Sequence, residues 1–142
     1  MQAVVLAAGK SSRFWPFNRQ HKSLFKIMGR PLIWYTVNNL SKEGIREIII
    51  VQSSVKDIER ELKKYPVKAK LKYVVQSKAK GTGDALSKAE KLIKEDFVVV
   101  GPHKIDLGDY LPSLLKKFKA HPGKTVLLGV KTSQPWDFGI VK

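Results

Sequence analysis

A chain of 142 residues with 43% apolar and 27% charged residues is expected to fold as one domain, residues 1–142, burying about two thirds of its unfolded surface. The absence of Cys excludes a disulfide framework, thiolate metal sites and Cys nucleophiles together, and no apolar run approaches the roughly 18 residues of a membrane span. A formal net charge of +15 is more than a local anion pocket needs and raises a nucleic-acid-binding hypothesis, and because Met1-Gln2 leads straight into a strand rather than a signal peptide, a soluble cytoplasmic protein without a membrane partner is expected.

Gln2 to Leu6 is a nearly unbroken apolar run, the mark of a buried strand, and Ala7-Ala8-Gly9 follows where that strand leaves the sheet. Small residues there let the backbone approach a ligand. Lys10, Ser11, Ser12 and Arg13 follow, with Lys22 beyond, so amides, hydroxyls and positive charges can converge on one anion, which is phosphate chemistry. A Walker P-loop is excluded because its first Gly would have to be Val4, and a dinucleotide fingerprint is excluded because Gly9 stands alone.

Pro31 opens a helix whose apolar stripe is Leu32, Ile33, Tyr35, Thr36, Val37 and Leu40, with Trp34 and Tyr35 expected in the core and Gly44 ending it. Glu47 to Gln52 reads as a second buried strand. Ser54 to Asp57 reads as a capping box for a helix running to Tyr65 and stopped by Pro66. Lys70 to Val75 is a third strand, and Thr82 is expected to cap a helix reaching Ile93. Asp96 to Val100 is a fourth strand and Thr125 to Lys131 a fifth, with a helix from Tyr110 to Ala120 between them that Asp106 or Asp109 would cap. Strands alternating with amphipathic helices predict an α/β fold: a three-layer α/β/α arrangement with a mostly parallel sheet and right-handed crossovers.

Leu6, Ala7, Ala8, Gly9, Arg13, Pro16, Lys22, Gly29, Pro31 and Leu32 fall in the order L-A-A-G-x-x-x-R-x-x-P, Lys, G-x-P-L. This resembles the opening of the sugar-nucleotide pyrophosphorylases, the sugar-phosphate nucleotidyltransferases of the glucose-1-phosphate thymidylyl- and uridylyltransferase kind. Gln76 followed by Gly81, Thr82 and Gly83 matches the family's second motif, and Phe138-Gly139-Ile140-Val141 matches its aromatic-Gly-x-Val. The resemblance implies a nucleotide-diphospho-sugar transferase-like, Rossmann-like fold, truncated at its C-terminal side and keeping the nucleotide-binding half. It implies transfer of a nucleoside monophosphate from an NTP, with UTP or dTTP favoured, to a sugar 1-phosphate. Leu6, Ala7, Ala8, Gly9, Lys10, Ser11 and Ser12 would hold the nucleotide. Arg13 and Lys22 would be the catalytic cations at the α-phosphorus, Gln76 with Gly81 and Thr82 would read the base, and Gly139 would meet the sugar.

The family places an N-G-D motif after the fourth strand, whose Asp holds Mg²⁺; here the residues are Gly101-Pro102-His103. Mg²⁺ is therefore expected from the resemblance and doubtful from the residues, since imidazole is a poor ligand for a hard cation. His103 and Asp106, with Asp109, are the candidates for a softer metal. His21 and His121 have no evident partners. The family's further C-terminal stretch has no counterpart in these residues, so a fragment and a short natural relative stay open, and the partner expected is a homo-oligomer or the missing C-terminal portion. Two rival readings follow: a degenerate homologue that binds nucleotide for a regulatory partner, and a basic nucleic-acid binder. The second is disfavoured because the excess Lys is scattered without aromatic interleaving. Abundant Lys with no Cys and two Met also fits the usage of a heat-loving source.

Overall fold

The computed structural model describes residues 1–9, 20–129 and 131–133, which fall into two compact units, Met1–Gly108 and Asp109–Lys142. The first holds a four-stranded sheet of β1 (Gln2–Ala7), β4 (Glu47–Ser53), β5 (Lys70–Gln76) and β6 (Phe97–Val100), all parallel, in the order β5-β4-β1-β6. A short antiparallel hairpin, β2 (Lys26–Ile27) with β3 (Arg30–Pro31), precedes α1 (Leu32–Lys42). Helices α2 (Asp57–Leu62) and α3 (Thr82–Ala89) follow β4 and β5.

The runs of Val and Ile force this arrangement because they are apolar on both faces and need cover on both. Ile48, Ile49, Ile50 and Val51 are fully buried, each contributing about 1.5–3 kcal/mol. Val4, Ile49 and Val51 pack with Ala85 and Ala89 of α3. On the opposite face, Gln52 turns its side chain to α2, where its Oε1 accepts from the Glu59 amide at 3.1 Å. Helices thus cover both faces, as expected for three layers.

α1 buries Ile33, Thr36, Val37 and Leu40, the i, i+3, i+4, i+7 stripe of an amphipathic helix. Trp34 and Tyr35 are half-buried rather than core. They clasp the β2–β3 hairpin: the Tyr35 hydroxyl donates to the Ile27 carbonyl at 2.8 Å, and the Arg30 guanidinium lies 4.2 Å from the Trp34 ring centre. An amphipathic polar tip lets each ring sit at the edge of the core and still find a partner. The hairpin turn uses Met28 and Gly29 at positive φ, 49° and 77°, as a two-residue loop of matching twist requires.

Several local expectations are corrected. Ser54 caps nothing; α2 begins after Lys56 in a left-handed conformation, and its amides are met by Asp57 and Gln52. Thr82 is the first residue of α3 and not its cap, because Gly81 at φ 103° makes the turn. The helix after β6, α4, starts at Leu107, so Asp109 lies in its first turn. Of the expected fifth strand, Thr125 to Lys131, Val130 lies outside the described residues; among the described residues Thr125 to Gly129 form no strand, and Leu127 and Leu128 are 67% and 54% exposed. β propensity is local, but a strand exists only through the neighbour that completes its ladder. In the second unit, the His121 amide donates to the Phe118 carbonyl at 3.1 Å, and its Nδ1 lies 2.8 Å from the Lys117 carbonyl, so His121 finishes α4.

Candidate functional site

Parallel register brings the sequence motifs to one edge. Ala7 pairs with Gln52, Ser53 with Gln76 and Val5 with Val100, so the chain leaves β1, β5 and β6 at the same C-terminal side of the sheet. The order reverses between β1 and β6, since β1 leads outward to β4 and β5 while β6 lies on the other side. In a doubly wound sheet that reversal opens a crevice for a ligand.

Ala8 is buried and Gly9 exposed as β1 ends, and among the described residues a Cβ added at Gly9 would meet nothing within 4 Å. His21, which had no partner in the sequence reading, proves to be a strut. Its Nδ1 accepts the Ser23 amide at 3.3 Å and lies 2.7 Å from the Ser23 hydroxyl, while the Gly9 backbone also hydrogen-bonds the ring. It thereby ties a 3-10 turn, Lys22–Leu24, which carries Lys22, to the exit of β1. Burial lowers the His21 pKa; Lys22 lowers it further, while Asp57 and the Gly9 bond oppose the shift. Only the spacing of His21 and Ser23 hinted at this in the sequence; the Gly9 contact is made by folding.

Across the reversal, Gly101, Pro102 and His103 follow β6. The His103 ring lies over Gly101, with Cε1 3.8 Å from where a Cβ would stand. Burial lowers the His103 pKa, and the positive charges of Lys22, Lys104 and His21 press it the same way, with Asp106 opposing. His103, His21 and Lys22 therefore share one electrostatic neighbourhood. Among the described residues no three His, Asp or Glu side chains converge to hold a metal ion, so the set of His103, Asp106 and Asp109 is not assembled.

At the end of β5, Gln76 is buried, 4% exposed. Its Nε2 donates to the Gly81 carbonyl at 3.2 Å and to Asp84 Oδ2 at 2.6 Å. The bond from Gln76 is the main cause of a lowered Asp84 pKa. Both bonds are made by the amide nitrogen, so the Gln76 side chain is fixed within the protein. Thr82 stands at the start of α3 beside this turn. Lys10, Ser11, Ser12 and Arg13, and Gly139, lie outside the described residues. A pocket of about 480 Å³ lined by Leu86, Glu90, Ile93 and Phe97 runs along α3 and β6; apolar walls with one carboxylate do not suit a polyphosphate. No described helix is long and apolar enough to cross a membrane.

The family model described as Nucleotidyl transferase matches residues 2–142. The bifunctional protein GlmU of Methanococcus maripaludis is 29% identical over the whole of this chain, which spans 32% of that relative's length. A crystal structure from Bacillus anthracis, described as a glucose-1-phosphate thymidylyltransferase and holding sucrose, superposes with a TM-score of 0.68 at 25% identity, covering 83% of this chain and 51% of its own. HddC from Yersinia pseudotuberculosis, complexed with GMP-PN, gives 0.66 at 26% identity, covering 80% and 54%. The chain thus spans about a third of the curated relative and half of the solved neighbours.

Proposed function

The chain belongs to the nucleotidyl transferase family, as a nucleotidyltransferase domain of the sugar-nucleotide pyrophosphorylase type, and from that premise we propose that it binds a nucleoside triphosphate across the C-terminal ends of β1, β5 and β6. The observation that carries this reading is the shared edge. The exposed Gly9 backbone and Lys22 stand at one end of it, and Gln76 with Gly81 stands at the other, on elements that register in parallel. Phosphates would lie over Gly9 and the Lys10 to Ser12 segment, with Lys22 and Arg13 neutralising charge at the α-phosphorus. The base would meet the Gln76 oxygen, Gly81 and Thr82.

The reaction in this reading is attack by a sugar 1-phosphate oxygen on the α-phosphorus, with pyrophosphate leaving. The substrate supplies its own nucleophile, so the protein's part is positioning and charge neutralisation. Gly139 would serve the sugar. The donors do not fit Mg²⁺: His103 stands where the resemblance calls for a carboxylate, and residues 10–19 contain no Asp, Glu or His. That mismatch favours a second reading, a domain that binds nucleotide without turning it over.

A thermal-shift titration with UTP, dTTP, GTP, CTP and ATP, each with and without Mg²⁺, tests the first. A ligand at about 100 times its Kd adds about 2.7 kcal/mol of stability. A selective rise with UTP or dTTP is expected. A selective rise with GTP, the base type of the HddC complex, would reassign the base, and no rise with any nucleotide would remove the reading. Pyrophosphate release from UTP and glucose 1-phosphate then separates turnover from binding alone.

A further inference from the structure

The turn between β5 and α3 holds a side chain whose direction is set by its neighbours. Gln76 is the last residue of β5, paired with Ser53 at the C-terminal edge of the sheet, and it is only 4% exposed. Its Nε2 donates to Asp84 Oδ2 at 2.6 Å and to the Gly81 carbonyl at 3.2 Å, which uses both of the nitrogen's protons. Both partners can only accept, so the amide has one permitted orientation: turned over, its oxygen would face an oxygen at each contact. Asp84 is kept as the carboxylate by its place in the first turn of α3, where the helix favours negative charge, and by Lys88, whose Nζ lies 3.4 Å from Oδ1. The Gln76 oxygen is therefore turned away from Asp84 and from the Gly81 carbonyl.

We infer that Asp84 is a positioning residue for base selection: by taking the nitrogen end of the Gln76 amide, it leaves that side chain able to accept from a ligand and unable to donate to it. An acceptor held in this way favours a base with a ring N–H donor, as in uracil, thymine or guanine. It disfavours cytosine and adenine, whose corresponding ring nitrogen is a bare acceptor. The inference rests on the nucleotide reading, in which Gln76 meets the base, and adds to it the residue that sets how Gln76 does so.

Calorimetric titration of the 142-residue chain with UTP and CTP, which differ at this edge of the ring, tests it on the native chain, Asp84→Ala and Asp84→Asn. The native chain should favour UTP about tenfold or more, the weight of one hydrogen bond. Asp84→Ala should lose most of that preference, and Asp84→Asn, which keeps an acceptor oxygen, should retain part of it. If Asp84→Ala keeps the native ratio, even with both affinities lowered, Asp84 serves only the fold and the inference is overturned. Equal affinity of the native chain for UTP and CTP would overturn it too while leaving the nucleotide reading in place. Binding of neither nucleotide would sink that reading and this inference with it. Should the variants fail to melt cooperatively, the native chain answers by its UTP preference together with NMR. The Gln76 side-chain NH₂ protons should be protected from exchange and should shift as Asp84 titrates, and free exchange with solvent would overturn the inference.

Discussion

The two ends of the candidate cleft are built on opposite principles. At the end of β5, polar groups are paired before any ligand arrives: Gln76 is buried and donates to both Gly81 and Asp84, and Asp84 also meets Lys88 at 3.4 Å. At the β1–β6 end, Lys22, Lys104 and His21 all press on His103, and the exposed Gly9 backbone is met by the His21 ring. A site that must distinguish one flat base from another gains from a fixed amide, because selectivity depends on geometry held in advance. A site for a polyphosphate gains from an excess of positive charge, because its ligand is recognised mainly by charge.

The largest effect should come from the charged end. Lys22→Ala removes an ammonium from the proposed phosphate site, and nucleotide affinity should fall about ten- to a hundredfold, the weight of a hydrogen bond to a charged partner. Calorimetric titration with UTP measures it, and an unchanged Kd would detach Lys22 from the site. At the other end the effect should fall first on the fold. Gln76→Leu strips a donor from the Gly81 carbonyl and from the Asp84 carboxylate, which should cost about 1–3 kcal/mol and several degrees in Tm. Base preference should weaken with it. Full stability in this variant would mean that the amide is not the organiser of the turn.

Acid should separate the two ends. His21 and His103 have folded pKa values below the ordinary 6.5, so the folded state binds fewer protons there; their contribution is complete above about pH 6.5 and is lost as pH falls toward their folded values. Asp84, held below 3.8 chiefly by Gln76, contributes fully above about pH 5 and is lost only as pH falls through its lower folded value. Melting curves of the ligand-free chain should therefore decline in two stages, and His103→Ala should soften the first without touching the second. A single decline below pH 4 would show that the imidazoles carry no such strain. The smallest effect belongs to the core between the two ends. The Thr36 hydroxyl is buried on α1 without a hydrogen bond, so Thr36→Val should be neutral or stabilise by about 1 kcal/mol while leaving UTP binding unchanged.

Buried polar residues mark the limit of reading from pattern. Gln2 looked like the first residue of an apolar strand. In the fold it is 2% exposed, its Nε2 donates to Glu47 and to the Leu92 carbonyl at 3.0 Å, and its Oε1 accepts the Lys94 amide at 2.7 Å. It stitches β1 to β4 and to the segment before β6. Gln52 does similar work for α2, where the sequence pointed to a Ser54 capping box. In each case the partner is an amide or carboxylate brought in by a different element, which no spacing rule within one segment can see.

What the sequence determined by itself was the set of segments that must be buried. Val and Ile runs at Gln2–Ala7 and Glu47–Ser53 can only be strands covered on both sides, Phe97–Val100 is a strand that leaves Phe97 and Val99 exposed on one face, and the small residues Ala8, Gly9 and Gly81 stand where the chain turns or leaves the sheet. Those are consequences of side-chain volume and backbone freedom, which travel with the residue. What the tertiary structure alone decided was which side chains meet. It set His21 against Gly9, put His103 in the field of Lys22, Lys104 and Asp106, turned Gln76 toward Asp84, and among the described residues left Thr125 to Gly129 outside any strand. Each of these depends on a pairing between distant segments, and a hydrogen bond, an electrostatic neighbourhood or a β ladder exists only once both partners are in place.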